Sequence, residues 1–294
     1  MKIFDKSSLW DSILDSDCFK KINIDQFKDE GINFRIAQYN YKTHGLLFLK
    51  NILFNMAESF GKEFLLLDRI PNRDVGKGVS INYAGITVDL DYLLAIGEII
   101  FLKKKLKKIT SILEIGAGYG RTCHSILSLF PNIKFYHIVD LPEMIALSSA
   151  YLKKVSNEEN FSKVQFVSTN DLFDQEYDLI ININSMQEMN PETVEAYLLF
   201  IDENAHAFYT KNTVGKFTPA ELGFERTKAS ELAMSSGILR DIVNIFCPKD
   251  LKKAQKNFLH KFSPGKTWLV EKEATTEPWS HYYQALYVKN ISFK

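Results

Sequence analysis

The stretch Ser111-Ile112-Leu113-Glu114-Ile115-Gly116-Ala117-Gly118-Tyr119-Gly120-Arg121-Thr122-Cys123-His124 decides the fold of this chain. An apolar run short enough for a buried strand ends in glycines at alternate positions, and residues with helical spacing continue to Phe130. Glycines let the backbone turn sharply and approach a ligand closely, while the following helix presents its N-terminal amides. A nucleotide-like ligand is implied. A dinucleotide fold asks for a further glycine where this chain has Arg121. Instead, the acidic residue before the first glycine, Glu114, suits a cofactor with a cationic amino-acid portion, held directly or through the amides of Gly116, Ala117, Gly118, Tyr119 and Gly120.

Outward from this turn, the runs IKFYHIV, KVQFVS, YDLIINI and HAFYT are each followed by a turn, and helical spacing lies between them. That alternation predicts parallel strands joined by crossover helices. KTWLVEK and HYYQALYVK read as a closing pair of strands, after a helical, charged insertion at about 218–262. The expected fold is α/β: a Rossmann-like, mostly parallel sheet with an antiparallel closing strand and helices on both faces. Residues 1–108 are expected to form a mainly helical accessory segment and residues 109–294 the ligand-binding domain. Within the first part, Leu47, Phe48, Phe54 and Phe60 recur at helical spacing. The stretch PNRDVGKGVSINYAG reads as a loop before a helix that Asp89 or Asp91 can cap.

The strand after the glycine turn ends in Asp140, 20 residues past Gly120. A carboxylate there can accept from both ribose hydroxyls, or it can cap the helix that begins LPEM. The next strand runs into Asn170 and Asp171, which can pair with an adenine edge or simply form a turn.

Bulk properties narrow the partners. Lys plus Arg and Asp plus Glu both number 36, so no net field favours a polyanion, and nucleic acid is not expected. Three separated cysteines fit neither a disulfide framework nor a Cys-rich zinc site. Cys123 reads as packing. The start MKIFDKSSLW lacks a signal-peptide core, and LLAIGEIIFL is too short to span a membrane and carries Glu98; a soluble cytoplasmic protein without membrane insertion is expected. KKKLKK at Lys103 to Lys108 reads as cations complementing a helix C-terminus. GKT at Gly265 lacks the phosphate-loop glycine, since His260 stands in its place, and no histidine belongs to an HExxH pair, so no metal is expected.

With ILEIGAGYGRT, IVDLPEM and ININSMQEMNPETVEAY in view, residues 110–215 resemble the class I methyltransferases, and more narrowly a family of bacterial sugar O-methyltransferases. The likeness implies S-adenosyl-L-methionine as cofactor, held by Glu114, the Gly116 to Gly120 loop, Asp140, Leu141, Asn170, Asp171, Asn184 and Ser185. It also implies that the segment after the fourth strand faces the transferred methyl. The acceptor it implies is a small-molecule carbohydrate: a sugar hydroxyl of a bacterial surface glycan or of its nucleotide-sugar precursor. IVDLPEM is also similar to plant phenolic O-methyltransferases, but HAFYTKNTVGK lacks their histidine after the fifth strand. A phenol or amine acceptor, a cofactor-binding module without turnover, and an oxidoreductase are the competing functions.

Methylating a hydroxyl calls for a base. Glu188, just past YDLIINI, is the first candidate, although it can also serve only to order the turn before Asn190 and Pro191. His281 in EPWSHYYQ is the second, although a histidine beside aromatics also suits packing. Trp268, Trp279, Tyr282 and Tyr283 can stack on a sugar or fill the core. The amino-terminal helical segment can serve as a lid or as the surface of a homo-oligomer.

Overall fold

The computed structural model describes residues 14, 41–169, 175–223, 225 and 227–290; the side chains of 41–44 and 221 are outside that description. Asn170 and Asp171 lie outside the described residues, as does most of the segment before residue 41.

Two compact units divide at Asn55 and Met56. Helix α1 (Tyr41–Ser59) accounts for the helical spacing around Leu47 and Phe54, both of which are exposed. In the larger unit, a 3-10 turn at Gly61–Arg69 leads to a hairpin of β1 (Ser80–Tyr83) and β2 (Ile86–Asp89). The sequence reads as a loop here. Two strands of four residues, turned at Ala84 and Gly85 with φ of 50° and 83°, are too short to show a period. Asp89 then caps α2 (Leu90–Leu106) as expected, its carboxylate accepting from Tyr92 N at 3.0 Å.

The main sheet starts with β3 (Ser111–Ile115), followed by α3 (Arg121–Leu129), β4 (Phe135–Asp140), α4 (Pro142–Val155), α5 (Glu158–Ser162) and β5 (Val164–Ser168). The chain continues through β6 (Leu179–Ile183), α6 (Pro191–Asn204), β7 (Ala207–Thr213), α7 (Lys228–Ser235), α8 (Pro248–Lys261), β8 (Trp268–Thr275) and β9 (Tyr282–Lys289). Strand order is β5-β4-β3-β6-β7-β9-β8. Pairing is parallel from β5 to β7, and β9 runs antiparallel to both β7 and β8. This is the Rossmann-like, mostly parallel sheet with an antiparallel closing strand that the sequence predicts, with one strand reversed near its edge.

Alternation along the strands loads both faces. Leu113, Ile115, Ile180, Phe208 and Tyr287 pack in one cluster with Val194, Leu198 and Ile201 of α6 and Phe258 of α8. The other face meets α2, as Tyr209 against Phe101 shows. Chain order moves away from β3 through β4 and β5, then returns to β6 on its other side. The crevice at such a reversal, outside the carboxyl ends of the strands, is where open α/β sheets bind ligands.

Candidate functional site

A cleft of about 830 Å³ opens at this reversal. Its walls come from Glu114 and the glycine turn after β3, Asp140 and Leu141 after β4, Thr169 after β5, and the segment from Ile183 to Tyr197 around the end of β6 and the start of α6.

The glycine turn is shaped by backbone that other residues rarely adopt. Gly116, Gly118 and Gly120 have φ of 73°, 59° and 93°. A Cβ on Gly116 would lie 2.1 Å from Ser185 Oγ, and one on Gly120 would lie 2.9 Å from Leu152, whereas at Gly118 nothing stands within 4 Å. Two glycines therefore allow close packing beneath the turn, and the third leaves its cleft side open. Gly116 N extends the β3 to β4 ladder by donating to Val139 O at 2.8 Å.

Asp140 is tied to this turn. Its Oδ2 accepts from Gly118 N at 3.0 Å and its Oδ1 from Leu141 N at 2.8 Å. The cap position of α4 belongs to Leu141, with no side-chain cap bond, so Asp140 does not act as the helix cap. A carboxylate has lone-pair capacity beyond these contacts, and it faces the cleft.

The opposite wall stands on a chain of buried amides. Asn212 Nδ2 on β7 donates to Asn182 Oδ1 on β6 at 2.8 Å, and Asn182 Nδ2 donates to Ile115 O at 2.9 Å and Ser185 Oγ at 2.5 Å. Asn212 Oδ1 accepts from Gln187 N, and Gln187 Oε1 from Thr213 N. Asn184 sits at φ 61°, a conformation asparagine tolerates, and its N–H reaches Lys211 O at 2.8 Å. From behind, Ser236 Oγ and Lys216 Nζ both donate to Gln187 O, and Gly237 N donates to Met189 O at 2.7 Å.

Glu188 projects from this wall. It is exposed in the cleft, and burial holds the Lys216 ammonium below its ordinary pKa against the opposing pull of the Glu188 charge. His281 is elsewhere. Its ring packs on Phe217 and Tyr282 at centroid distances of 5.4 and 4.9 Å, burial pushes its pKa down, and it is not among the cleft residues. The cleft thus gathers Glu114, Gly116, Ala117, Gly118, Tyr119, Asp140, Leu141, Asn184, Ser185 and Glu188, while Gly120 supports it from below. Of the aromatics considered for stacking, Trp268 and Tyr283 are in the core cluster.

Sequence reasoning missed Arg121, Thr122, Met144, Thr193 and Tyr197 as lining residues. It also missed the buried Glu98, whose carboxylate accepts from Arg121 Nη2 and Lys211 Nζ, each at 2.9 Å. A lone charge within LLAIGEIIFL was the available signal, because charges are rarely buried without partners.

Glu114 lies at the floor, 1% exposed, with Tyr136 Oη donating to it at 2.7 Å. Burial pushes its carboxyl up to about 7, against the Tyr136 bond and the Arg121 charge. A carboxyl raised from 4.5 in the unfolded chain gives stability that is full below 4.5 and is lost as pH rises through about 7. Glu114→Gln is therefore expected to melt above the parent at pH 8, by up to roughly 3 kcal/mol, and to lose that advantage by about pH 5. Thermal melts of both at the two pH values check this; identical melts at pH 8 contradict it.

Residues 89–183, from the cap of α2 to the end of β6, match the family model of an O-methyltransferase domain. No curated protein matches the chain. Among solved structures it is similar to the methyltransferase domain of a bacterial Hen1 protein, at 11% identity and a TM-score of 0.47, covering 67% of this chain and 98% of that one. It is also similar to an S-adenosylmethionine-dependent methyltransferase from Clostridium acetobutylicum, at 11% identity and TM-score 0.43, covering 68% and 93%. Mitomycin 7-O-methyltransferase overlays at 10% identity and TM-score 0.42; the match covers 67% of this chain and 56% of that enzyme.

Proposed function

We propose that the chain is an S-adenosylmethionine-dependent O-methyltransferase acting on a sugar hydroxyl of a bacterial surface glycan or its nucleotide-sugar precursor. The observation that carries this reading is the pairing of the open glycine turn with the Asp140 carboxylate across one cleft, bonded to each other at 3.0 Å. The donor set fits the cofactor: an acceptor for ribose hydroxyls at Asp140, an apolar edge at Leu141 and Met144 for a base, and acidic Glu114 at the turn.

When bound, the cofactor supplies an electrophilic methyl group on a cationic sulfur. The chain's part is positioning, which can account for much of the rate in a displacement of this kind. Asp140 orients the ribose while holding the Gly118 amide. Asn184 and Ser185 flank the turn from the β6 side. Glu188 accepts the proton of the acceptor hydroxyl, and Asn190 and Thr193 beside it offer hydrogen bonds suited to a polyhydroxylated acceptor. The sugar acceptor rests on the resemblance of ININSMQEMNPETVEAY and on this polar wall.

Two measurements test the reading. Asp140→Ala is expected to weaken cofactor binding by about 1.5–3 kcal/mol, through loss of a charged acceptor, and an unchanged dissociation constant would remove Asp140 from the site. Incubation with labelled cofactor and a panel of nucleotide sugars, glycans, phenols and amines is expected to label sugars. Labelling confined to phenols or amines would replace the acceptor, and cofactor binding without transfer to any of them would make the chain a binding module.

A further inference from the structure

Between Arg240 and Lys261 six lysines and arginines stand against two aspartates, in a chain with no net charge. On α8, Lys249, Lys252, Lys253, Lys256 and His260 recur at intervals of three and four, so they line one face, and all five are exposed. Leu251, Ala254 and Phe258 line the opposite face and pack into the core, as does Phe262 just past the helix end. The core contacts therefore fix the lysine face toward solvent. Local electrostatics does not favour these lysines. Lys249, Lys252 and Lys253 lie in the first half of the helix, where its dipole disfavours cations, and Lys249 with Lys253 and Lys252 with Lys256 are like-charged pairs one turn apart. None of the four is in an ion pair among the described residues.

The chain just before α8 exposes apolar side chains. Ile242 is 64% and Phe246 73% exposed, and they alternate with Val243 and Ile245, each only 7% exposed. The backbone is held there: Lys216 N donates to Asp241 O at 2.9 Å and Val243 N to Lys216 O at 2.7 Å. Trp279, also partly exposed, adjoins Ser280, whose Oγ donates to Ile245 O at 3.1 Å. A fixed backbone thus presents three apolar side chains beside the start of the lysine helix.

We propose that this surface, the lysines of α8 together with Ile242, Phe246 and Trp279, docks the protein on an anionic lipid surface. Apolar and aromatic side chains enter the headgroup boundary, while lysine stems lie along it and their ammonium groups meet lipid phosphates. Pairing with a second copy across a two-fold axis would set lysine against lysine. A soluble polyanion accounts for the lysines and leaves the apolar side chains in water. The same segment is tied to the cleft: Ser236 Oγ donates to Gln187 O and Gly237 N to Met189 O, on the wall that carries Glu188. From Gly237 to Ile242 is at most roughly 18 Å of chain, so the docked protein carries that wall close to the lipid. The inference holds whatever the cofactor and acceptor are.

Flotation of the full chain with phosphatidylcholine vesicles, with and without phosphatidylglycerol, tests this. The parent is expected to float with the anionic vesicles, to stay behind with the neutral ones, and to be released as salt is raised. The triple variant Lys252→Gln, Lys253→Gln, Lys256→Gln is expected to bind anionic vesicles on the order of 100-fold more weakly, and Phe246→Ser roughly 10-fold more weakly. All four side chains are exposed, so both variants are expected to melt with the parent. A parent that does not float with anionic vesicles, or that binds neutral ones equally well, overturns the proposal, as does a triple variant that binds like the parent. Parental binding by Phe246→Ser also overturns it, in favour of a soluble polyanion. The comparison of the two vesicles needs no variant, so it reads out even if a substitution disturbs the fold.

Discussion

Glu98→Leu is expected to destabilise the fold by about 3–5 kcal/mol, a fall in Tm on the order of 10 °C. Glu98 is 3% exposed on α2, and its carboxylate joins Arg121 at the glycine turn to Lys211 on β7. Leucine matches it in bulk but strips Lys211 and Arg121 of the carboxylate both are bonded to, and breaking a buried pair from one side costs far more than the pair is worth as a unit. Replacing all three residues with apolar ones is expected to recover much of the loss, because no charge is then stranded. The pH response has the opposite sign to that of Glu114. A carboxyl held below 4.5 in the folded state contributes stability that is present above 4.5 and lost as pH falls through the folded value. Thermal melts of parent, single and triple variants check this; a single variant that melts within a degree or two of the parent contradicts the role given to Glu98.

Glu188→Gln is expected to lower kcat by about 10²- to 10⁴-fold while leaving affinity for the cofactor nearly unchanged. The local structure makes this a clean substitution. The turn is held by Glu188 N donating to Ser185 O at 3.0 Å and by bonds from Ser236, Lys216 and Gly237 to its neighbours' carbonyls. The carboxylate itself makes no hydrogen bond among the described residues, and the next helix is capped at Asn190 without a side-chain bond. Gln keeps the shape and loses the proton acceptor. The assay uses whichever sugar the transfer panel identifies. A turn-ordering role predicts a lower Tm with nearly normal turnover, and full activity in the Gln variant means that the base lies elsewhere on the Ile183 to Tyr197 wall.

What the sequence revealed depended on whether a feature is local. The β3 turn and α3 were legible because glycines at 116, 118 and 120 announce a left-handed backbone without reference to the rest of the chain, and the structure has positive φ at each. Asp140 was legible as a strand end at a fixed interval from that turn. Arg121 was visible only as a departure from a glycine pattern, because the residue that gives it purpose, Glu98, is on α2, in the stretch assigned to an accessory segment. The hairpin of β1 and β2 was hidden by strands too short to alternate. Thr193 and Tyr197 line the cleft through the rotation of α6, which is set by packing against the sheet and by no local signal. His281 followed from chemistry alone, and the fold keeps it among Phe217 and Tyr282 instead.

The central claim is that the cleft at the carboxyl end of β3, β4 and β6 is an adenosyl-cofactor site. Titration calorimetry of the purified parent with S-adenosylhomocysteine, the demethylated product, tests it most directly. Binding at one site per chain, with a dissociation constant well below millimolar, is the result this account predicts; absence of binding at millimolar ligand would contradict it.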